Sequence, residues 1–271
     1  MSTDPLFSNV KSAFDGFTGA QVFYGCTSHC IHVYGITSKG EFHQVYKDFI
    51  REHGAPSILR RDNAKEENST AIQAIQRELL IKDEFIEPKN PQQNPVESRA
   101  IKWLKETSLV LLNKVGAPSP LWFHAIQYLA DIHNICADKQ LNWITPQQVR
   151  TGVTPDISAH LQFTFWEKVL VLDSEESWPS SKEKPARYLG VAQNVGDLLT
   201  FRVYNKQSRY VLACSVIRSA TVSPNHHVKW DSELQQGNRK TASIGGIYYQ
   251  KFQTPFLILK FLSQMPPAFQ C

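Results

Sequence analysis

The sequence predicts a mixed α/β sheet with flanking helices, followed by a small antiparallel, barrel-like β module. Two patterns lead to this prediction. In the first ninety residues the signals read three strands, helix, strand, helix, strand, which is the order of a mixed sheet. Beyond residue 157, runs typical of strands recur about every ten residues with turns between them. We therefore expect a core over residues 1–157, a β module over residues 158–219, and a linker with an unassigned tail over residues 220–271.

The composition excludes several classes of protein. The 271 residues are 42% hydrophobic and 20% charged, so the chain is expected to be mainly globular. The net charge of +4 permits a polyanionic partner without requiring one. Five scattered cysteines form no Cys-x-x-Cys pair, which indicates a reduced, intracellular protein. No apolar run approaches the roughly 20 residues of a membrane-spanning helix, so we expect no membrane partner.

Side-chain periodicity assigns the elements of the first part. β-branched and aromatic runs bounded by turn residues predict a three-stranded meander. An apolar stripe that begins at Phe42 predicts an amphipathic helix, which Gly54 ends. A second stripe predicts a helix over residues 69–81. The predicted strands cover residues 7–14, 20–27, 31–37, 57–63 and 84–88.

The segment after residue 88 contains a helix-start signature. The Pro- and Asn-rich stretch KNPQQNP is typical of a loop, and Asn94, Pro95 and Glu97 fit the N-cap, first helical position and capping box of a long helix. Two further helices are expected. The first covers residues 121–137, and the second is short and ends at Gly152. The later strands are predicted in WEKVLVLD, ARYLGVAQ, LLTFRVYN and YVLACSVIRS.

Three carboxylates fall where this order of elements would bring them together. Asp4 precedes the first predicted strand, Asp62 follows the fourth, and Glu97 opens the long helix. The first and fourth strands are expected to be neighbours, and a helix packed beside them can add the third carboxylate. Such a set of hard oxygen ligands suits Mg²⁺ or Mn²⁺, and two such ions can promote phosphodiester chemistry. The alternatives are a frayed terminus for Asp4, a turn for Asp62 and a capping box for Glu97; Asp15 reads as a hairpin turn.

Helical geometry favours a buried direction for Glu97. At about 100° per residue, Ile101, Leu104 and Ser108 lie on nearly the same side of the helix as Glu97. The carboxylate is therefore expected at the top of the core-facing stripe, where a cation or hydrogen-bond donors would be needed.

These residues resemble the acidic triad of retroviral and retrotransposon integrases. Asp62 lies in LRRDN and Glu97 in NPQQNPVESR, with 34 residues between the two acids. The segments PLWFHAIQYLADIHN and ITPQQVRTGVTPDI look like the region downstream of the catalytic core in copia-type elements, and YLGVAQNVGDLLTFRVYN resembles the β module that follows.

The resemblance implies an RNase H-like fold and DNA integration by 3′-end processing and strand transfer. Asp4, Asp62 and Glu97 would hold two Mg²⁺ or Mn²⁺ ions. Gln92, Gln93 and Asn94 would lie on a loop near the DNA end. A homo-oligomer and a nuclear location are further expectations from the family.

Departures from the family pattern leave a second hypothesis open. Ala64 occupies the position of a family glycine, Pro95 replaces another, and Pro5 with only three residues before Asp4 would keep its strand from extending upstream. The family's upstream zinc-binding segment is not in the sequence. These features favour a polyprotein fragment, or an inactive remnant that at most binds nucleic acid non-specifically, so whether the chain is an active enzyme stays open.

Basic residues cluster in the β module. Residues 182–218 contain seven basic and two acidic side chains. The net charge of this segment, 7 − 2 = +5, exceeds the +4 of the whole chain. We predict phosphate contacts from Arg202, Lys206 and Arg209, with a solvated face as the alternative. On the long helix, Lys105 flanks the Glu97 side and is a further candidate for contact with nucleic acid.

Overall fold

The chain forms two compact units, each with its own sheet. The computed structural model describes residues 1–62, 69–87, 94–172, 177–179, 181–205 and 210–220. The first unit is Met1–Asp156, and the second begins at Ile157. Among the described residues, no helix has both the length and the apolar character needed to span a bilayer.

The first unit contains a mixed five-stranded sheet. Its strands are β1 (Ser2–Phe7), β2 (Gly19–Tyr24), β3 (Ile31–Ile36), β4 (Ile58–Arg61) and β5 (Lys82–Phe85). They lie in the order β3-β2-β1-β4-β5. The pairs β3/β2 and β2/β1 are antiparallel, whereas β1/β4 and β4/β5 are parallel. The predicted mixed sheet is confirmed, as is the expected adjacency of the first and fourth strands.

Five α-helices accompany this sheet in the described part of the first unit. They are α1 (Phe42–His53), α2 (Thr70–Glu78), α3 (Lys102–Val115), α4 (Trp122–Ile135) and α5 (Pro146–Thr151). A π-helical turn over Val96–Ile101 leads directly into α3. Gly152 ends α5 in a left-handed conformation, as the sequence predicts.

The core beside β2 is largely aromatic. Phe42, Val45, Tyr46 and Phe49 form the buried stripe of α1. Phe49 stacks on Phe23 of β2 with ring centroids 4.3 Å apart. This packing is the tertiary consequence of the apolar spacing in α1, because residues three and four apart share one helix face.

The first strand lies upstream of its predicted position. The expectation that Asp4 precedes a strand over residues 7–14 is wrong, because β1 spans Ser2–Phe7 and Asp4 lies in its middle. Pairing with β2 decides this: Asp4 is opposite Val22 and Leu6 is opposite Ala20. Local propensity in the later segment therefore yields to the longer run of cross-strand pairs.

Pro5 is accommodated because its nitrogen faces away from β2. Ser8 N–H donates to Thr18 O, and in an antiparallel pair such bonds involve alternate residues. Pro5, three positions from Ser8, therefore has its nitrogen on the β4 side, where β1 pairs only through Ser2 and Arg60. The missing N–H removes no bond to β2, and β1 extends upstream of Asp4 despite this proline.

Arg61 is a fully buried cation at the end of β4. Its exposed fraction is 0%. Its Nε and Nη2 atoms donate to Asp83 of β5 at 3.0–3.1 Å, and Nη2 also donates to Gln76 of α2 at 3.3 Å. Its guanidinium lies over the Phe85 ring at 5.0 Å. One side chain thus connects β4, β5 and α2.

Two imidazoles pack together between β3 and α1. The ring centroids of His32 and His53 are 3.8 Å apart. Burial, followed by the nearby charge of Arg150, lowers the pKa of His53 to about 4, although Glu52 opposes the shift. Burial, then His53 and Arg150, holds the pKa of His32 well below its usual value. Both rings are therefore neutral in the folded protein near neutral pH.

The second unit contains an antiparallel five-stranded sheet. Its strands are β6 (Lys168–Leu172), β7 (Glu183–Val191), β8 (Phe201–Asn205), β9 (Tyr210–Cys214) and β10 (Ile217–Ser219). Their order is β10-β6-β7-β8-β9. The small antiparallel module predicted from the sequence is confirmed.

The connection between β9 and β10 requires this sheet to curl. The two strands occupy opposite edges of the sheet, yet only Ser215 and Val216 separate Cys214 from Ile217. Three Cα steps of about 3.8 Å reach at most about 11 Å. The edges of a flat five-stranded sheet would be about 19 Å apart. The sheet is therefore barrel-like.

We predict that Arg61→Met lowers the free energy of unfolding by about 3–5 kcal/mol, because Asp83 would be left without its buried partner. Denaturant unfolding would measure this loss. The matched control is Arg60→Met, since Arg60 pairs with Glu84 on the solvent side, and it should leave stability close to that of the wild type. Equal losses in the two variants would contradict the assignment.

The histidine pair predicts a loss of stability on acidification. The unfolded chain takes up protons on these imidazoles near pH 6.5, whereas the folded chain resists them, so stability is highest above that pH and falls toward pH 4. His53 alone accounts for about 2 kcal/mol between pH 7.5 and pH 5. His53→Gln should reduce this difference in denaturant unfolding, and His43→Gln, on the same helix, should not. An unchanged difference in His53→Gln would refute the prediction.

Candidate active site

Strand pairing places Asp4 and Asp62 side by side. Ser2 is opposite Arg60 in the parallel pair β1/β4. Asp4 lies two residues after Ser2 and is half-buried within β1. Asp62 lies two residues after Arg60 and is exposed directly after β4. Parallel strands keep their register over such a short distance, so Asp4 and Asp62 lie opposite each other on neighbouring stretches of backbone.

Glu97 reaches the same region from the π-helical turn. The backbone N–H of Lys102 bonds to the carbonyl oxygen of Glu97, five residues back. The stripe residues Ile101, Leu104 and Ser108 are buried as predicted, but Glu97 itself is exposed. The wider π turn accounts for the difference, because counting 100° per residue does not hold across it.

Glu97 and Asp62 are close enough to Asp4 to act on it through their charges. The pKa of Asp4 is raised from its usual value near 3.8 to about 7. Burial is the largest cause, and the charges of Glu97 and then of Asp62 contribute to the same rise. Lys39 and Lys105 act in the opposite direction. The two lysines do not offset burial and repulsion, so the Asp4 carboxyl keeps its proton to a higher pH than a free aspartic acid does.

Asn94 lies inside the site. Its side chain is buried, with 3% exposed. Its Oδ1 accepts a hydrogen bond from Ser2 Oγ, and its Nδ2 donates to Asp4 Oδ2 over 3.5 Å. No side chain caps the start of the helix that contains Glu97, so the capping box considered from the sequence does not form.

The donor set fits a hard divalent cation. The charges of Glu97 and Asp62 both act on Asp4, and carboxylate oxygens are the ligands that Mg²⁺ and Mn²⁺ prefer. Within the described parts of the chain, no group of three or more His, Cys, Asp or Glu side chains is drawn together as a ready-made metal site. The residues thus have the right chemistry and share one region, without forming a closed cage.

Three of the residues predicted to contact nucleic acid can be placed: Asn94, whose contacts are given above, Lys105 and Arg202. Lys105 is exposed on α3 and acts on Asp4 through its charge. Arg202 is half-buried on β8, with its guanidinium beside Gly190. The others, Gln92, Gln93, Lys206 and Arg209, lie outside the described residues, as do Ala64 and the tail from residue 221. Their contacts stay predictions.

Other basic side chains of the second unit bind within the unit. Arg187 Nη1 donates to Trp166 O, and its guanidinium lies over the Trp166 ring at 5.2 Å. Arg218 donates to Glu183 through two nitrogens. These contacts orient part of the positive charge counted in the sequence along the sheet.

Sequence reasoning missed two residues of the site. Lys39 lies over the Phe7 ring at 5.4 Å, which holds its ammonium near the end of β1. Ser2 is fully buried and bonds to Asn94. Correct placement of β1 would have identified Ser2, because residues two apart in a strand share one face, as Ser2 and Asp4 do. No local sequence signal identifies Lys39.

Fold and site together define a mixed-sheet domain with an acidic centre. No protein-family model matches the sequence, and no curated protein matches it. A chain of the simian T-cell lymphotropic virus intasome, solved with PP2A regulatory subunit B56 gamma, shares 14% identity over 80% of this chain and 77% of that chain, with a TM-score of 0.47.

A second similar structure is the HTLV-2 integrase catalytic core domain in complex with magnesium, in a trimeric form. It shares 14% identity over 55% of this chain and 93% of that chain, with a TM-score of 0.44. Both scores lie below 0.5, so the case for a function rests on the residues of this chain.

We predict that Glu97→Gln lowers the pKa of Asp4 below about 7, because one of the charges that oppose its ionisation is removed. Titration of the Asp4 carboxyl by NMR in metal-free protein would measure the shift. Glu106→Gln changes an exposed carboxylate of the same helix that does not contribute to the shift, and should leave the Asp4 titration in place. A pKa of Asp4 that Glu97→Gln does not move would show that the two acids do not converge.

Proposed function

We propose that the chain is an integrase-like polynucleotidyl transferase that acts on DNA through divalent metal ions. The observation that supports this most directly is the raised pKa of Asp4: burial contributes most to it, and the charges of Glu97 from the π turn and of Asp62 from the end of β4 act in the same direction. Folding brings like charges together at a cost in free energy, and a bound cation would remove that cost.

The residues have distinct roles in this proposal. Asp4, Asp62 and Glu97 would hold two Mg²⁺ or Mn²⁺ ions. When bound, such ions activate a hydroxyl nucleophile and stabilise the leaving oxygen of a phosphodiester. Lys105 and Lys39 supply positive charge beside the acids, where a DNA phosphate would approach. Arg202, in the second unit, would be a separate point of contact with a DNA phosphate.

The proposal extends to the finer expectations from the sequence. We assign 3′-end processing and strand transfer of a copia-type retrotransposon as the reaction. Self-association and a nuclear location would accompany that reaction, since joining to chromosomal DNA takes place in the nucleus.

A second candidate function is non-specific binding of nucleic acid by an inactive remnant. Ala64 and Pro95, which occupy positions of family glycines, favour it. It implies salt-dependent DNA binding without metal-dependent chemistry.

A disintegration assay on a branched DNA substrate tests the two candidates. We expect strand joining that requires Mn²⁺ or Mg²⁺ and is abolished by a chelator. Asp62→Asn and Glu97→Gln should each reduce the rate by about 100-fold or more, because each removes a metal ligand worth several kcal/mol of charge stabilisation.

Glu106→Gln is the matched control, because it neutralises an exposed carboxylate on the same helix and should leave the rate unchanged. DNA binding without any joining would favour the inactive remnant. Joining that persists in both Asp62→Asn and Glu97→Gln would refute the catalytic assignment.

A further inference from the structure

Asn94 occupies a position between two of the three acidic residues. Its side chain contacts β1 through Ser2 and Asp4. Its backbone carbonyl accepts from the N–H of Glu97 at 3.2 Å and from the N–H of Ser98 at 3.5 Å. A single residue therefore connects the strand that contains Asp4 to the turn that contains Glu97.

The chemistry of the two side-chain contacts requires an amide. Ser2 Oγ needs an acceptor, and the Asp4 carboxylate needs a donor. Asn94 meets both needs with Oδ1 and Nδ2. Aspartate at this position would oppose Asp4 with a second carboxylate, and serine would be too short to span Ser2 and Asp4 together.

Burial makes these contacts directional. Asn94 and Ser2 are almost fully buried, with 3% and 0% exposed. Water therefore competes poorly for their polar atoms, and a buried amide that lost its partners would be costly. The contact to Asp4 is long at 3.5 Å, so it is the weaker of the two side-chain contacts.

We propose that Asn94 is a positioning residue of the acidic site, which fixes the Asp4 carboxylate by its side chain and the Glu97 backbone by its carbonyl oxygen. This inference rests on the proposed metal-dependent function. It gives Asn94 an internal role in place of the nucleic-acid contact predicted from the sequence. Asn94 acts through Asp4 and Glu97 and touches no reacting atom itself.

The test is the affinity of the full chain for Mn²⁺, measured by electron paramagnetic resonance without DNA. Asn94→Ala should weaken binding about tenfold, because residues that orient metal ligands typically contribute that much. Ser2→Ala should weaken it less, since the Asn94 amide keeps its contact with Asp4. In joining assays, Asn94→Ala should shift the half-saturating Mn²⁺ concentration upward, and excess Mn²⁺ should restore the maximal rate.

Asn134→Ala is the matched control. Asn134 in α4 also makes two side-chain hydrogen bonds, to Ile31 N and Ile31 O at 2.8 Å each. Its loss costs comparable stability away from the acids, and should leave the affinity for Mn²⁺ unchanged. A purely structural role for Asn94 would lower the maximal rate without a change in the Mn²⁺ requirement.

The outcomes separate this inference from the function on which it rests. Binding of Mn²⁺ that Asp62→Asn weakens but Asn94→Ala does not would overturn the positioning role and leave the metal site intact. Absence of Mn²⁺ binding in the wild type would overturn both. Weakening by Asn94→Ala, with Asn134→Ala at the wild-type value, would establish the positioning role.

Discussion

The parallel pairing of β1 with β4 is the contact on which the acidic site depends. It is short, with one residue pair, Ser2 and Arg60, in register. That single alignment decides where Asp4 and Asp62 stand relative to each other, because every later residue follows at a fixed rise along its strand. The antiparallel ladder with β2 is longer and keeps β1 straight. Pairing with β4 thus sets the position of Asp4 relative to Asp62, and pairing with β2 holds the segment around Asp4 as a strand.

The site gathers negative charge, and the adjacent structure offsets the destabilisation. Asp62 follows directly after Arg61, whose buried guanidinium is held by Asp83 and Gln76. Two consecutive residues at the end of β4 therefore have opposite environments. Arg61 is enclosed among its partners, and Asp62, directly after the strand, is exposed beside like charges. Such a division is typical of functional sites, where unfavourable local electrostatics are maintained by a well-packed surround. Asn94 extends the same support to the far side of Asp4.

Periodicity in the sequence sufficed for the sheet, the helices and the choice of Asp4, Asp62 and Glu97 as candidates. The stripe of α1 and the β-branched and aromatic runs of β2 and β3 are local signals, so they could be interpreted without the fold. The position of β1 could not, because Pro5 and the short segment before it conceal a strand that only cross-strand pairing specifies. Glu97 was expected to face the core, since nothing in the sequence marks a π turn. Asn94 and Ser2 are partners across 92 positions, which no local pattern reveals.

The short link between β9 and β10 has a consequence for the solubility of the second unit. Edge strands present unpaired backbone groups to which another chain can add, and this is a common route to aggregation. Because Ser215 and Val216 draw the two edges of the sheet toward each other, each edge limits access to the other. Covalent connection thereby restricts strand addition from a second molecule.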